Sequence, residues 1–341
     1  MNESKRYDVA VIGGGAAGLG GALALARARR SVLVVDAGRP RNAPAAHAHA
    51  YLGREGTPPE RLLADGRAEV ASYGGEVVSG EVASAERLDG GGFRVVLRDG
   101  AAVEASRLLV TTGLVDELPD VPGLAERWGR DVLHCPYCHG WEVRDQPIGV
   151  LATGPLAVHQ ALLWRQWSED VALFLHSGPE PGDEEYEQLA ARGIAVVDGL
   201  VTGLEVRDDR LEGVRLESGR VIRRRALAVA TGLDVRADFL AGLGLATVDL
   251  EMGGQVIGTR VPVDPSGATE VPGVWAAGNV VAPTEQLIGA AAAGVRAGAV
   301  INADLVAEET RWAVAARREP FSAQAEREAA ESVLSDARHG L

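Results

Sequence analysis

Two copies of one supersecondary plan occupy most of this 341-residue chain. In the first copy, an apolar strand over residues 7–12 enters a glycine-rich turn, and an Ala/Leu-rich helical stretch leads to a second strand over residues 31–36. The second copy opens at residues 148–151, and its next strand lies at residues 171–175. Apolar, β-branched strands on either side of a helical pattern predict a βαβ unit in each copy.

Each βαβ unit is followed by a strand, a turn and a returning strand that ends in Thr-Gly. The pairs are Thr112-Gly113 and Thr231-Gly232. This repetition predicts an α/β fold with two Rossmann-like dinucleotide-binding domains of three-layer ββα form. The turn-rich connector at residues 116–123 predicts one crossing between the domains, and the stretch after Gly232 predicts the other.

The two crossings imply that the second domain is inserted in the first. We expect the first domain to comprise residues 1–116 and 245–341, and the inserted domain to comprise residues 117–244. From about residue 310 the chain alternates Glu and Arg with apolar residues, which predicts a C-terminal amphipathic helix.

The formal net charge is −14, so the chain repels nucleic acid and anionic lipid surfaces. The apolar run near the N-terminus spans only residues 9–12, too short for a signal peptide. No apolar stretch approaches the roughly 20 residues needed to cross a bilayer. We expect a cytoplasmic protein with no nucleic-acid and no membrane partner.

Gly13, Gly15 and Gly18 form a Gly-x-Gly-x-x-Gly fingerprint between the first strand and its helix. Gly13 permits the tight turn, Gly15 lets the backbone approach a pyrophosphate, and Gly18 allows close helix packing. Asp36, at the end of the next strand, can accept hydrogen bonds from a ribose. The alternative is a βαβ turn whose glycines bind nothing.

A further segment, residues 273–279, precedes a Gly/Ala-rich helix predicted from Gln286 to about residue 305. With the fingerprint and the Thr-Gly turns, it makes most of the chain resemble the thioredoxin-reductase-like FAD-dependent pyridine-nucleotide-disulfide oxidoreductases. The resemblance implies FAD in the first site, with Gly278 and Asn279 at the flavin ribityl chain. Asn279 replaces the usual Asp but keeps an acceptor oxygen; a helix-cap or turn role for it stays open.

The motifs and the resemblance together predict a set of FAD-binding residues. They are Gly13, Gly15, Ala16, Ala17, Gly18, Asp36, Thr112, Gly113, Gly278, Asn279, Gln286 and Leu287.

The only two cysteines, Cys135 and Cys138, stand in the string His-Cys-Pro-Tyr-Cys-His-Gly-Trp-Glu over residues 134–142. Thiols at this spacing can close a disulfide, and a helix N-terminus there would favour the thiolate. His139 can exchange protons near working pH. Three alternatives stay open: a haem-attachment string, a zinc site that also uses His134 and His139, and two inert buried cysteines. We predict no metal.

His139 follows the second cysteine, where thioredoxin reductases usually carry Asp. Cys-x-x-Cys-His-Gly with an aromatic residue and Glu resembles the dithiol oxidases that close the disulfide of gliotoxin- and holomycin-type natural products. The resemblance implies that Cys138 faces the flavin, Cys135 exchanges with substrate and His139 is the acid/base. Trp141 would wall the pocket or lie in the core. The resemblance also implies a homodimer.

The second nucleotide site is eroded in the sequence. Ala152 stands in place of the first fingerprint glycine, and residues 175–185 lack the arginines that would grip the 2′-phosphate of NADPH. Each such contact is worth about 1.5–3 kcal/mol, so NADPH is doubtful. His176 is an alternative phosphate ligand.

The predicted function is therefore an FAD-dependent dithiol oxidase. Electrons would pass from a small-molecule dithiol through Cys135 and Cys138 to FAD and on to O2, giving hydrogen peroxide. The alternatives are an NADPH-dependent thioredoxin reductase with thioredoxin as partner, a ferredoxin-driven reductase, and a low-turnover flavin redox sensor. His47 and His49 would either line the substrate mouth or be solvated loop residues.

Overall fold

The computed structural model describes residues 6–318 and 323–338. Its strands are β1 (Arg6–Ile12), β2 (Val32–Asp36), β3 (Glu76–Ser79), β4 (Val82–Arg87), β5 (Phe93–Leu97), β6 (Ala102–Val110), β7 (Leu114–Glu117), β8 (Val132–Leu133), β9 (Ile148–Leu151), β10 (Val171–Phe174), β11 (Ala195–Val197), β12 (Val201–Arg207), β13 (Arg210–Leu216), β14 (Val221–Arg223), β15 (Ala226–Val229), β16 (Gly232–Val235), β17 (Val248–Met252), β18 (Gln255–Arg260) and β19 (Val274–Ala276). Its α-helices are α1 (Ala16–Arg27), α2 (Pro59–Ser72), α3 (Leu124–Arg127), α4 (Pro136–His139), α5 (Ala157–Trp164), α6 (Asp183–Ala191), α7 (Leu287–Arg318) and α8 (Ala323–Arg338), and short 3-10 helices lie at Asp238–Leu243 and Gly278–Val280.

The first domain is built on a sheet in the order β3-β2-β1-β6-β5-β4. Strand β6 pairs with β1 along one edge; its other edge pairs with β5 near its start and with β19 near its end. Strands β3, β2, β1, β6 and β19 are mutually parallel. Their carboxyl ends therefore meet at one edge of the sheet, which is where Rossmann-like folds bind dinucleotides.

Side chains of β1 alternate between the two faces of this sheet, as the period of a strand requires. Ala10 and Ile12 join one buried cluster, and Val9 and Val11 join the other. The second cluster also includes residues of α1 and α7, which cover that face.

Helices α1 and α7 pack with their backbones almost in contact. A Cβ at Gly294 would lie 1.8 Å from the Ala17 carbonyl oxygen, and one at Gly298 would lie 2.7 Å from that of Gly21. Only glycine fits at such distances, so these positions fix α7 against the helix that follows the glycine turn.

The inserted domain repeats the plan with a parallel sheet in the order β11-β10-β9-β15-β8 and an antiparallel meander β12-β13-β14. Ile148 and Val150 of β9 belong to one buried cluster and Leu151 to another, so this sheet is also covered on both faces. The fold is thus the expected pair of Rossmann-like domains, with the second inserted in the first.

The two crossings run side by side in a separate four-stranded sheet of order β17-β18-β16-β7. Strands β7 and β16 pair antiparallel, with Leu233 opposite Asp116. Leu233, Val235 and Leu240 already pack in the core of the first domain. We therefore propose that the chain returns to the first domain at β16, ahead of residue 245, where the sequence suggested it.

Helix α7 is longer than the sequence predicted. It continues past residue 305 to Arg318, so the first part of the predicted tail belongs to α7, and α8 forms a separate helix. In the described part of the chain, α7 alone is long and apolar enough to cross a membrane, although the sequence suggested no such segment. Its Ala297, Ile301 and Leu305 pack in the core of the first domain.

Candidate active site

The glycine turn after β1 has the geometry that the fingerprint predicts. Gly13 has a φ of 107°, and a Cβ there would lie 2.5 Å from the Thr111 carbonyl oxygen. A Cβ at Gly18 would lie 1.8 Å from the Gly13 carbonyl oxygen, so Gly18 closes the turn as well as packing the helix. Above Gly15, by contrast, no atom lies within 4 Å of a Cβ position.

This open space faces the N-terminus of α1. The helix begins at Ala16, no side chain caps it, and its first turn has no acidic residue. The first N–H groups of a helix lack intrahelical partners and attract anions. Asp36 accepts the Gly14 N–H at 3.1 Å through Oδ1, which holds its carboxyl group at the turn. The turn therefore fits a dinucleotide pyrophosphate.

A single cavity of about 770 Å³ joins this turn to the cysteine pair. The predicted site residues that line it are Gly13, Gly15, Ala16, Ala17, Asp36, Thr112, Gly113, Asn279, Gln286, Leu287, Cys135, Cys138 and His139. Gly18 and Gly278 lie outside the lining. A Cβ at Gly278, whose φ is 78°, would lie 2.7 Å from the Ala17 Cβ, so this glycine lets its loop pack on α1.

The amide of Asn279 explains the departure from the family's Asp. Its Nδ2 donates to the carbonyl oxygens of Ala282, Pro283 and Glu285 at 3.2, 3.2 and 2.9 Å. A carboxylate cannot donate these bonds. Asn279 therefore holds the loop that leads into α7, and the residue lines the cavity.

The two thiols lie at the start of the single-turn helix α4. Cys135 is its N-cap residue, and the Cys138 Sγ lies 2.7 Å from the Cys135 Sγ. The hydrogen bond from the Cys138 thiol lowers the pKa of Cys135 to about 7; burial opposes the shift, while the backbone N–H groups of Cys138 and Tyr137 and the charge of Arg41 support it. The same contact, together with burial, raises the pKa of Cys138.

Burial keeps the neighbouring imidazoles neutral. It lowers the pKa of His139, with the charge of Glu142 opposing and that of His49 adding to the shift. Burial and the charge of Arg41 likewise lower the pKa of His134. A neutral imidazole in the residue after Cys138 has a nitrogen lone pair that can accept a proton.

Arg41 is a site residue that the sequence did not reveal. Its Nε and Nη2 donate to the two carboxylate oxygens of Asp116, both at 2.7 Å, and its Nη1 donates to the Pro283 carbonyl oxygen at 3.0 Å. Thr231 donates to the same carboxylate at 2.8 Å. This cluster ties the loop after β2 to both crossing strands and places a cation whose field acts on Cys135.

Of the remaining sequence candidates, His47 and His49 line the cavity and Trp141 does not. Trp141 is 65% exposed, and the Arg144 guanidinium lies 4.0 Å from its ring centroid. Both alternatives for Trp141, a pocket wall and a core residue, were therefore wrong.

The loop after β10 packs closely on the second nucleotide turn. Gly178, after β10, packs so tightly on Ala152 that a Cβ there would lie 2.7 Å from the Ala152 Cβ. His176 has a φ of 45°, and its Nδ1 accepts the Val201 N–H at 3.1 Å. One ring nitrogen of His176 is therefore already engaged in a hydrogen bond with the protein backbone. The first turn of α6 then adds three carboxylates, from Asp183, Glu184 and Glu185.

A hairpin from the first domain also lies against this turn. Gly253 and Gly254 connect β17 to β18, both with positive φ, as a two-residue hairpin turn requires. A Cβ at Gly154 would lie 3.8 Å from the Gln255 Oε1, and one at Gly253 would lie 3.6 Å from a methyl carbon of Leu156. The β17–β18 hairpin therefore lies in van der Waals contact with the turn where a second pyrophosphate would bind.

Comparison with known proteins identifies the family of this chain. Residues 7–298 match the pyridine nucleotide-disulphide oxidoreductase family. The chain belongs to this family. It is an FAD-dependent thiol–disulfide oxidoreductase, which confirms the enzyme class and the cofactor that the sequence predicted.

Relatives match over nearly the whole length. Thioredoxin reductase tcpT of Claviceps purpurea is 30% identical over 324 residues, covering 90% of this chain and 97% of that protein. Thioredoxin reductase sirT of Leptosphaeria maculans is 31% identical, covering 87% of this chain and 93% of that protein. The crystal structure of HlmI has a TM-score of 0.85 at 48% identity and covers 92% of this chain and 97% of that chain. The similarity to thioredoxin-reductase-like proteins therefore includes both domains.

The lowered pKa of Cys135 leads to a testable pH dependence. We expect iodoacetamide to alkylate Cys135 of the reduced protein with a midpoint near pH 7, because the thiolate is the nucleophile. The rate should rise with pH through the midpoint and then level off. Peptide mass spectrometry after timed labelling measures it, and a midpoint near the ordinary thiol value of about 8.5 would contradict the expectation.

Proposed function

We propose that this protein is an FAD-dependent oxidase of small-molecule dithiols that uses O2 as the electron acceptor. The observation that carries the proposal is the contrast between its two dinucleotide turns. The first is open and fits a pyrophosphate. The second is packed against Gly178 and is in contact with the β17–β18 hairpin.

Electrostatics favour the same conclusion. The 2′-phosphate of NADPH is normally bound by arginines after the second strand of the motif. Here that segment leads into a helix whose first turn has three carboxylates. Like charges repel a phosphate, so reduction by NADPH is disfavoured at both the turn and the strand end.

The cysteine pair suits disulfide exchange with a dithiol. A substrate thiolate attacks the Cys135 Sγ of the oxidised pair, the Cys135–Cys138 bond breaks, and Cys138 leaves as a thiolate. The second substrate thiolate then attacks the substrate sulfur of the mixed disulfide, which forms the product disulfide and releases Cys135. A low pKa makes Cys135 a good leaving group in this last step.

The substrate dithiol thus loses two electrons and two protons to the pair. Bound in the cavity, FAD would supply the two-electron chemistry that links the reduced cysteines to O2, with hydrogen peroxide as the product. The roles proposed for this chain's residues are exchange at Cys135, contact with the flavin at Cys138 and proton transfer at His139. The proposed FAD-binding residues are the members of the predicted FAD set that line the cavity. Gly18 and Gly278, which complete the set, shape the turns beside it.

The second candidate is an NADPH-dependent thioredoxin reductase. It is favoured by the names of the fungal relatives tcpT and sirT. We further propose a cytoplasmic homodimer, in keeping with the resemblance; size-exclusion chromatography with light scattering tests the dimer.

An anaerobic titration of the flavoprotein separates the two candidates. We expect NADPH and NADH to leave the flavin absorbance unchanged and dithiothreitol to bleach it. On admission of air, the absorbance should return and peroxide should form in equal amount to the dithiol oxidised. Prompt bleaching by NADPH would overturn the oxidase in favour of the reductase. Failure of both reagents would support the redox sensor instead.

A further inference from the structure

A second, smaller cavity shares part of its wall with the cavity that contains the cysteine pair. Its volume is about 350 Å³, and it shares His47, His49 and His139 with the larger cavity. Glu142 and the apolar side chain of Leu133 also line it. Cavities of roughly 300–1,000 Å³ hold small ligands. This space can take a compact dithiol beside His139, but not a folded protein, and it meets the larger cavity, which both cysteines line.

His49 is held in this cavity by Glu55 at one ring nitrogen, and its other ring nitrogen faces Glu142. Its Nδ1 lies 2.7 Å from Oε1 of Glu55, and its Nε2 lies 3.5 Å from Oε1 of Glu142. The other Glu55 oxygen accepts the N–H of Ala50 at 2.9 Å, where the backbone has a φ of 57°. The loop after β2 thus fixes the position of the His49 ring through Glu55, and Glu142 lies near the ring from the inserted domain.

This arrangement sets which nitrogen can act as a base. Because Glu55 accepts a hydrogen from Nδ1, the neutral ring has its lone pair on Nε2. A proton taken up at Nε2 would make an ion pair with Glu142. The other titratable groups around the ring are His47 of the same loop, His139 after the cysteine pair and Arg130 on the cavity wall.

We infer that the dithiol substrate binds where the smaller cavity meets the larger one, and that Nε2 of His49, which lines both, takes the proton from the substrate thiol that attacks Cys135. This inference rests on the proposed function. The transfer converts the thiol and neutral imidazole into a thiolate and an imidazolium. The thiolate then breaks the Cys135–Cys138 bond, and the reduced pair later recovers the proton. His139 is left to serve Cys138, so the two histidines have separate tasks.

The test compares His49→Gln with the wild-type flavoprotein. Flavin reduction by dithiothreitol is followed anaerobically by stopped flow from pH 6 to pH 9. General-base catalysis contributes on the order of 10²–10⁴-fold, so we expect a loss of about 100-fold at pH 7. The deficit should shrink towards pH 9, because the dithiol then ionises without help, and added imidazole should restore part of the rate at pH 7.

Two further variants keep the test decisive. Glu55→Gln should show a smaller loss with the same pH pattern, and it stands in if His49→Gln does not retain FAD. His159→Gln, the same change at an exposed position of α5 outside both cavities, should match the wild type.

If the rate of flavin reduction falls equally at every pH and added imidazole does not restore it, His49 acts only as a structural contact between the domains. This result would overturn the inference. An unchanged rate would do the same. If dithiothreitol fails to reduce even the wild-type flavin, the proposed function falls first and the inference with it.

Discussion

Replacing Cys138 by Ser is expected to leave FAD binding intact and to abolish flavin reduction by dithiols, with a loss on the order of 10³-fold or more. The pair works as a unit, because a lone Cys135 can form a mixed disulfide but cannot transfer two electrons onward. The measurements are the flavin-to-protein ratio and the anaerobic reduction rate with dithiothreitol. A variant that loses FAD instead would show that the residue is structural.

Cys138→Ala is the matched variant for the electrostatic role of the same side chain. A serine hydroxyl still donates a hydrogen bond to Cys135, whereas alanine removes the donor that contributes most to the lowered pKa of Cys135. We expect the alkylation midpoint of Cys135 to stay near 7 in the serine variant. In the alanine variant it should rise by roughly one pH unit. Equal midpoints in the two variants would contradict the hydrogen bond as the cause.

The second large effect is expected at the Arg41–Asp116 pair. Only 6% of the Asp116 side chain is exposed, and Arg41→Gln would leave this carboxylate without its cation. Breaking a buried pair in this way costs about 3–5 kcal/mol. We expect a lower urea midpoint at pH 7 and a higher alkylation midpoint for Cys135. The double variant Arg41→Gln/Asp116→Asn should recover part of the stability, because no buried charge is left unpaired.

The stability lost in Arg41→Gln should depend on pH in a defined direction. Burial alone would raise the pKa of Asp116, but the hydrogen bonds and charge of Arg41, with the Thr231 hydroxyl, bring it below its ordinary value. A lowered folded-state pKa stabilises the protein above the unfolded value of about 3.9 and loses that effect as the carboxylate protonates. The difference between variant and wild type should therefore shrink below about pH 4. A constant difference would exclude the ion pair as its source.

The parts of the site that could be predicted from the sequence are those whose residues lie close together along the chain. The glycine turn, Asp36 and the cysteine pair each have local spacing with a physical meaning, and the structure brings them to one cavity. Arg41 and Asp116 are 75 positions apart, and His49 meets Glu142 across the two domains. No periodicity in a Pro- and Ala-rich loop indicates such partners, because they arise only when the crossing strands and the inserted domain are in place.

The extent of α7 was missed for a related reason. Apolar periodicity ends near residue 305, where the helix leaves the core, and the sequence prediction ended there too. Beyond that point the chain is rich in Ala, Glu and Arg, which favour a helix without needing a buried face. Helix propensity, rather than burial, therefore explains the extra turns up to Arg318.

The β17–β18 hairpin limits how the protein could be redesigned to take electrons from a pyridine nucleotide. Arginines introduced after β10 could bind the 2′-phosphate of NADPH. The side chain of Gln255 would still lie next to Gly154. On the proposed function, a variant driven by a pyridine nucleotide would also need a change in this hairpin, which belongs to the other domain. If the proposed function holds, the coenzyme preference of this chain depends on two distant stretches of sequence, the segment after β10 and the β17–β18 hairpin.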